Sequence, residues 1–477
     1  MANKFYFHSA IPYVNASPHI GHAQEFVLSD VIRRYQKLQG NDVLYLSGAD
    51  ENGLKIVQAA EKAGILPQKF CDIHQQEFLD LAQKLGVHFD VWQRGTDKAH
   101  HVVSSQKLWE LCAKTGDIYK KKYEGLYCVG CEVFYTPDEL DQNGECFEHP
   151  GKKLENVSEE NYFFRLSKYQ KFLEDLIQSD TLKIIPQIRK NEALSFIRKG
   201  LEDFSISRSI ARAKNWGVPV PNDPKQIIYV WFDALNIYYS GIGSGWDEKL
   251  FNTWAPADLM IIGKGILRFH AVYWISILKS ASLPIPKELF VHGYLTVDGQ
   301  KMSKTVGNVV DPIKILNQYG TDAVRYYLAR EIPSYGDGDY SDRRFKELYN
   351  ADLANGLGNL VARVAKLAEG KSLQLSAFSY QLINKGVYEN ALEEYRFNDA
   401  LAYVWGKVKV ADKYIDANEP WKLSGDAFTK VLEQAINQIL EIATLLQPFL
   451  PDTAEKILTQ FQSSSIKSQA PLFPRIT

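Results

Sequence analysis

Four side chains able to ligate a metal stand in two close pairs, Cys128-x2-Cys131 and, fourteen residues further on, Cys146-x2-His149. Each pair can clamp one side of a tetrahedral ion, and the intervening loop can bring the clamps together. Thiolates and an imidazole suit Zn2+. Four protein ligands leave no position for water, so the pattern predicts one structural zinc per chain. The alternative is a set of buried thiols without a metal. Cys71 and Cys112 stand alone and read as small core residues.

Two further groups suggest phosphate chemistry. His19-Ile20-Gly21-His22 falls between a strand pattern and a helix pattern. A helix N-terminus carries partial positive charge and unpaired N–H groups, so it receives phosphates. Gly21 lets a ligand approach the backbone, and both imidazoles can donate to phosphate oxygens. Taken alone, these could be ordinary loop histidines. Lys301-Met302-Ser303-Lys304-Thr305 adds two lysines on one loop. Such lysines can neutralise charge building on a pyrophosphate leaving group. A basic surface loop is the plain alternative, but the two groups together are far more specific than either.

The elements that must position these residues follow from periodicity. Lys4 to His8 alternates as a strand, and an amphipathic helix from about Ala23 ends near Gly40-Asn41. Val43 to Leu46 is a second strand, which completes a βαβ unit and predicts a parallel sheet. A turn-rich, Cys-bearing stretch then interrupts the pattern. Between Lys183 and Lys214 it carries eight basic residues, at 183, 189, 190, 198, 199, 208, 212 and 214. These form either a solvated face or a nucleic-acid face. Ile227 to Phe232 and Asp258 to Ile262 read as buried strands, with a helix from about Ile266 to Leu278 and another strand from Leu289 to Tyr294. Val297-Asp298-Gly299-Gln300 reads as a hairpin turn. From about Asn350 the pattern is helical, with Leu353, Leu357, Leu360, Val361, Val364 and Leu367 on one face. The Ser-rich stretch 462–469 is expected to be mobile.

The predicted fold class is therefore α/β: a Rossmann-like parallel sheet, split by a zinc-bearing connective insertion and followed by an all-α bundle. The boundaries fall at 1–115 and 226–293 for the halves of the sheet domain, 116–225 for the insertion, 294–348 for a linker and 349–477 for the helices. A chain of 477 residues, 45% apolar and 12% aromatic, can bury several cores. It has no apolar run long enough to span a bilayer, and no signal-like N-terminus. Its five cysteines suit a reducing compartment. A cytoplasmic protein with no membrane partner is expected. With a net charge of −2, it must bind any polyanion through local basic patches.

The sequence resembles the class I aminoacyl-tRNA synthetases, and among them the methionyl-tRNA synthetases. The likeness covers nearly the whole chain. It rests on Ala10-Ile11-Pro12-Tyr13-Val14-Asn15 leading into His-Ile-Gly-His, the Gly48-Ala49-Asp50-Glu51 segment, the Cys/His pairs and Ser205-Ile206-Ser207-Arg208. Tyr229-Val230-Trp231-Phe232-Asp233-Ala234, Val291-His292-Gly293-Tyr294, the lysine motif and Asn418-Glu419-Pro420-Trp421 extend it.

The resemblance implies a ligase that activates L-methionine with ATP, with Mg2+ on the nucleotide, and passes it to the terminal adenosine of tRNA(Met), initiator included. It implies that Ile11, Tyr13, Val230, Trp231, Ala234, Leu235, Tyr238, Ile266 and His270 line the methionine pocket. Aromatic and aliphatic walls suit a thioether, although each apolar member could equally be plain core. It implies that Asp50 pairs with the substrate ammonium and that Arg208 helps hold the carboxylate or adenylate. His19, Gly21, His22, His292 and Gly293 would contact ATP, and Lys304 with Lys301 would stabilise the departing pyrophosphate. Asn359, Arg363 and Trp421 would read a CAU anticodon. Asn359 and Arg363 share one side of a helix, away from its apolar stripe. Trp421 would stack on a base or else anchor helix packing.

Three positions depart from the family pattern. Gly265 stands where Asp is usual, Asn52 where His is common, and Thr305 where Ser is usual. Gly265 removes a possible contact near ATP. The chain looks too short for the appended dimerisation or tRNA-binding domain of some relatives, so a monomer is expected. Three readings compete with an active ligase. One is a non-catalytic tRNA-binding paralogue. Another is a small-molecule nucleotidyltransferase, which would have no use for the helical domain. The third is a synthetase for Ile, Val or Leu, whose editing insertion needs more room than residues 114–226 provide.

Overall fold

Six short segments rich in apolar residues pair side by side as a parallel sheet. They are β1 (Lys4–Ser9), β2 (Asp42–Ala49), β3 (Val91–Arg94), β4 (Lys183–Ile185), β5 (Leu259–Gly263) and β6 (Glu288–His292). The spatial order is β3-β2-β1-β5-β6-β4. The computed structural model describes residues 3–128, 133–135, 140–147, 151, 153–302, 308–371, 386–463 and 465–476. The central strands are buried on both faces, which is why they read as near-continuous apolar runs. Side chains alternate between the faces. Phe7, Tyr45, Ile261 and Phe290 face the long helix α1 (Ile20–Leu38). Tyr6, Leu46, Met260, Ile262, Leu289 and Val291 face the opposite layer.

The core on the α1 face continues into the C-terminal helices Phe397–Asn418, Gly425–Leu446 and Pro451–Phe461. Arg325 stands at this junction, fully buried. It pairs with Asp30 of α1 at 2.8 Å and donates to the carbonyls of Leu85, Pro448 and Phe449. No helix among the described residues is long and apolar enough to cross a membrane.

Four sequence expectations are revised. Ile227 to Phe232 is not a strand of the parallel sheet. Strand Asp223–Ile228 belongs to a small antiparallel sheet, and Val230–Ala234 is a helix. The sixth strand instead comes from Lys183–Ile185, inside the stretch read as insertion. The helix expected from Ile266 to Leu278 contains a π-helical segment, Phe269–Trp274, of the kind that marks functional sites. The tail is anchored at points: within 462–469 Ile466 is buried while the other described residues are exposed, and beyond it Phe473 is buried and Asn350 bonds the Ile476 backbone.

The basic stretch 183–214 is largely neutralised within the protein. Lys183, Arg189, Lys190, Arg198, Arg212 and Lys214 pair with Glu288, Glu192, Asp180, Glu174, Glu155 and Glu61. The expected hairpin at 297–300 forms, with Asp298 and Gly299 both at positive φ.

Candidate active site

Strand order reverses between β1 and β5, and in open α/β sheets ligands bind at such a switch point, beyond the C-terminal strand ends. His19 caps α1 there. Its Nδ1 accepts from the Gly21 N–H at 3.1 Å, while the His19 N–H donates to His22 Nδ1 at 3.1 Å. The two rings stack at 3.9 Å. Because both Nδ1 atoms accept, each neutral ring carries its proton on Nε2 and presents a donor. Burial, with His19 beside it, holds His22 well below the usual imidazole range. The Gly21 N–H in the first turn of the helix is therefore taken by His19, and the imidazoles carry more of the anion-binding capacity than the sequence suggests.

A cavity of about 190 Å³ opens beside this cap. It is lined by His22, Glu25 and Phe26 of α1, by Gly263 and Gly265 at the end of β5, and by Tyr294. Glu25 was not marked by sequence. Its carboxylate takes a 2.9 Å hydrogen bond from His292 Nε2. Burial lowers the His292 pKa, but Glu25 outweighs it and the ring titrates above its ordinary value. Gly293 is required by packing, since a Cβ there would lie 1.7 Å from the Gly336 carbonyl oxygen. At Gly265 a Cβ would lie 1.7 Å from the Tyr294 hydroxyl. Tyr294 thus covers Gly265, and Lys264 pairs with Asp337 at 2.7 Å alongside.

The described residues on either side of 303–307 meet the histidine cap. Met302 Cε lies 3.8 Å from the position of a Cβ on Gly21, and the Ile20 N–H donates to the Val310 carbonyl at 3.2 Å. Strand Gln300–Lys301 carries the first lysine. Lys304, with the rest of 303–307, lies outside the described residues.

The residues expected to hold an amino acid form an arc of rings. Tyr13 meets Trp231 edge-on at 6.5 Å, and Trp231 stacks on Phe269 at 3.8 Å. The Tyr238 hydroxyl donates to His270 Nε2 at 2.8 Å, and His270 Nδ1 donates to the Ile266 carbonyl at 2.9 Å. Burial lowers the His270 ring to about 4, so it stays neutral and keeps this tautomer. Val230, Ala234 and Leu235 are buried beside these rings, while Ile11 and Ile266 are half-buried. Asp50 is buried and bridged to Tyr13.

Asn52 is accommodated. It donates to Asp233 at 2.7 Å, and Asp233 also bonds the buried His101 at 2.9 Å. Arg208 is not in the cavity beside His22. It is buried against Tyr229, donates to Ser205 and Ser207, and lines a separate small cavity with Asn52 and Trp216.

Cys128 and Cys146 are both buried, in no disulfide, and share a small cluster with Tyr135. Cys131 and His149 lie outside the described residues. Two soft thiols gathered from distant positions fit a zinc site, although no group of three metal-ligating side chains occurs among the described residues. Cys71 and Cys112 are core residues, as expected; burial pushes the Cys112 thiol up to about 12.

In the helical region Asn359 is exposed, while Arg363 is held by Asp412 at 2.8 Å and Asp416 at 2.5 Å. Trp421 is 54% exposed, so it is not a packing anchor. It projects from a turn made by Glu419 at positive φ and Pro420, which stops the preceding helix.

Residues 5–365 match the family described as tRNA synthetases class I (M), and residues 382–476 match the anticodon-binding domain of tRNA ligase. The chain belongs to the class I tRNA synthetases. A methionine–tRNA ligase of Thermotoga maritima is 40% identical over 474 residues, covering 95% of this chain and 74% of that protein. One from Nostoc sp. is 42% identical over 472 residues, covering 94% and 88%. The structure of Mycobacterium tuberculosis methionyl-tRNA synthetase in complex with methionyl-adenylate superposes with a TM-score of 0.91 at 35% identity, covering 99% of this chain and 100% of that one. Within the class, the chain belongs to the methionine–tRNA ligases.

Proposed function

We propose that this chain joins L-methionine to tRNA(Met) in two steps. The methionine carboxylate oxygen attacks the α-phosphorus of ATP, and the bond to the β-phosphate oxygen breaks, releasing pyrophosphate. The terminal ribose hydroxyl of the tRNA then attacks the adenylate carbonyl, and AMP leaves. No covalent intermediate with the protein is needed, so the protein acts by positioning and by stabilising charge.

The approach of Met302 to Gly21 carries this reading, because it sets the imidazole cap beside the chain that leads into the lysine motif. His19 and His22 donate from Nε2 to ATP phosphates, and Lys301 with Lys304 balances charge on the departing pyrophosphate. His292, held by Glu25, and Gly293 flank the adenosine. Ile11, Tyr13, Val230, Trp231, Ala234, Leu235, Tyr238, Ile266 and His270 surround the thioether chain, and Asp50 takes the ammonium. Arg208 acts through the Ser205–Ser207 turn it holds. Mg2+ would accompany ATP, held largely by its phosphates. Cys128, Cys131, Cys146 and His149 would hold a structural zinc.

Asn359 and Trp421 meet the anticodon, and Arg363 joins them by exchanging Asp412 and Asp416 for a base edge. The test is charging of tRNA transcripts with labelled methionine. Charging of a CAU-anticodon transcript, and little when the anticodon is changed, supports the reading. Equal charging of both would remove the anticodon contacts from it.

A further inference from the structure

Tyr294 has no role in the account above, yet it walls the cavity beside the histidine cap, together with His22, Glu25, Gly263 and Gly265. β5 ends at Gly263, so Gly265 stands just past it, with no side chain of its own. The Tyr294 hydroxyl takes that space: a Cβ on Gly265 would lie 1.7 Å from it. Gly263 leaves room in the same way for the His292 ring, whose Cε1 would be 3.5 Å from a Cβ there.

Tyr294 is 38% exposed, but it is held in place. Its N–H donates to Asp337 Oδ1 at 2.8 Å, and its carbonyl accepts from the Gly338 N–H at 2.9 Å. Lys264 Nζ lies over the ring, 4.8 Å from its centroid, and pairs with Asp337 at 2.7 Å. A backbone bonded on both sides and a cation on the ring face set the hydroxyl on the cavity wall before any ligand arrives.

The wall it joins has two chemical characters. His22 can donate to a phosphate, whereas the Glu25 carboxylate repels one. The stretch beside Glu25 and Tyr294 suits a neutral group bearing hydroxyls, since a carboxylate accepts from a hydroxyl and a phenol both donates and accepts. In ATP that group is the ribose, which joins the phosphates at the cap to the adenine beyond it.

We propose that the Tyr294 hydroxyl, admitted by the missing side chain of Gly265, hydrogen-bonds a ribose hydroxyl of bound ATP, which makes Tyr294 a nucleotide-binding residue of this site. This rests on the activation reading above.

The test is methionine-dependent ATP–pyrophosphate exchange by the full chain, run with ATP, 2′-deoxy-ATP and 3′-deoxy-ATP. Wild type is compared with Tyr294→Phe, Gly265→Ala and the double variant. Tyr294→Phe keeps the ring beside Lys264 and removes only the hydroxyl. It should raise the ATP KM roughly five- to tenfold, about one hydrogen bond's worth, with kcat and the methionine KM within about twofold. For the analogue that lacks the bonded hydroxyl, wild type and Tyr294→Phe should agree in KM within about twofold. Gly265→Ala puts a methyl group where the hydroxyl sits, and the exposed ring can swing aside. Its ATP KM should rise as in Tyr294→Phe, and the double variant should add less than about a further twofold. An unchanged ATP KM in Tyr294→Phe overturns the proposal. So does an equal rise for ATP and both analogues, which would leave the hydroxyl away from the ribose. A matching rise in the methionine KM also overturns it, by assigning Tyr294 to the shape of the site. If Gly265→Ala does not fold, Tyr294→Phe with the two analogues decides alone. Wild type that gives no exchange with methionine is the separate failure of the activation reading, and removes this proposal with it.

Discussion

Ile20 and Val310 are joined by a backbone hydrogen bond of 3.2 Å, which ties the first turn of α1 to the chain leaving the lysine motif. The histidine cap and the lysine loop therefore share one scaffold. Substitutions on either side should damage the same step. His19→Asn keeps a good helix cap, so stability should hold while methionine-dependent exchange falls on the order of 10²-fold. Lys304→Ala should lower adenylate formation by a similar factor with little change in methionine binding. Equal losses in binding and rate would contradict its role in the transition state.

Trp421 stands exposed on its turn. Trp421→Ala should weaken tRNA charging by roughly 1–3 kcal/mol, the value of one stacked base. Exchange without tRNA should not change. A parallel loss of exchange would point to misfolding.

The His292–Glu25 bond has a pH signature. The folded His292 pKa lies above its unfolded value, because Glu25 outweighs burial. The stabilisation is therefore complete below about pH 6.5 and is lost as pH rises through the folded pKa. Denaturant unfolding of wild type and Glu25→Gln should show a gap that narrows with rising pH. A constant gap would contradict the ion pair.

Arg325 and Asp30 are both fully buried. Arg325→Ala leaves Asp30 with Arg34 alone and opens the bonds to Pro448 and Phe449. Unfolding free energy should fall by about 3–5 kcal/mol. Calorimetry or urea unfolding measures this, and a loss below about 1 kcal/mol would show that the junction repacks.

The two phosphate motifs were legible in the sequence because each is a run of four or five neighbouring residues at an element boundary. The βαβ start and the helical bundle were legible because periodicity is local. Lys183–Ile185 was not, since three residues amid charges show no period, and only pairing with Glu288–Phe290 makes them a strand. Ile227 to Phe232 read as one strand from its apolar content, yet the strand ends at Ile228 and Val230–Ala234 folds as a helix. Glu25 and Arg325 each act through partners far away along the chain, a relationship no single-sequence pattern displays. Arg363 is half-buried and held by two aspartates that lie on another helix, a pairing that periodicity does not display.

Cys128 and Cys146 come together in a buried cluster. Metal analysis of purified protein should find about one zinc per chain. Removal by a chelator should destabilise the knuckle, and Cys146→Ser should abolish retention. Zinc-free protein of unchanged stability would contradict the four-ligand assignment.

The central claim is methionine activation at the crevice where α1 meets the lysine loop. Its most direct test is ATP–pyrophosphate exchange without tRNA, run across all twenty amino acids. The account predicts exchange with methionine alone, which would also show that Gly265 beneath Tyr294 is compatible with catalysis. Absence of exchange with every amino acid, from folded and zinc-loaded protein, would contradict it and favour a tRNA-binding protein without catalysis.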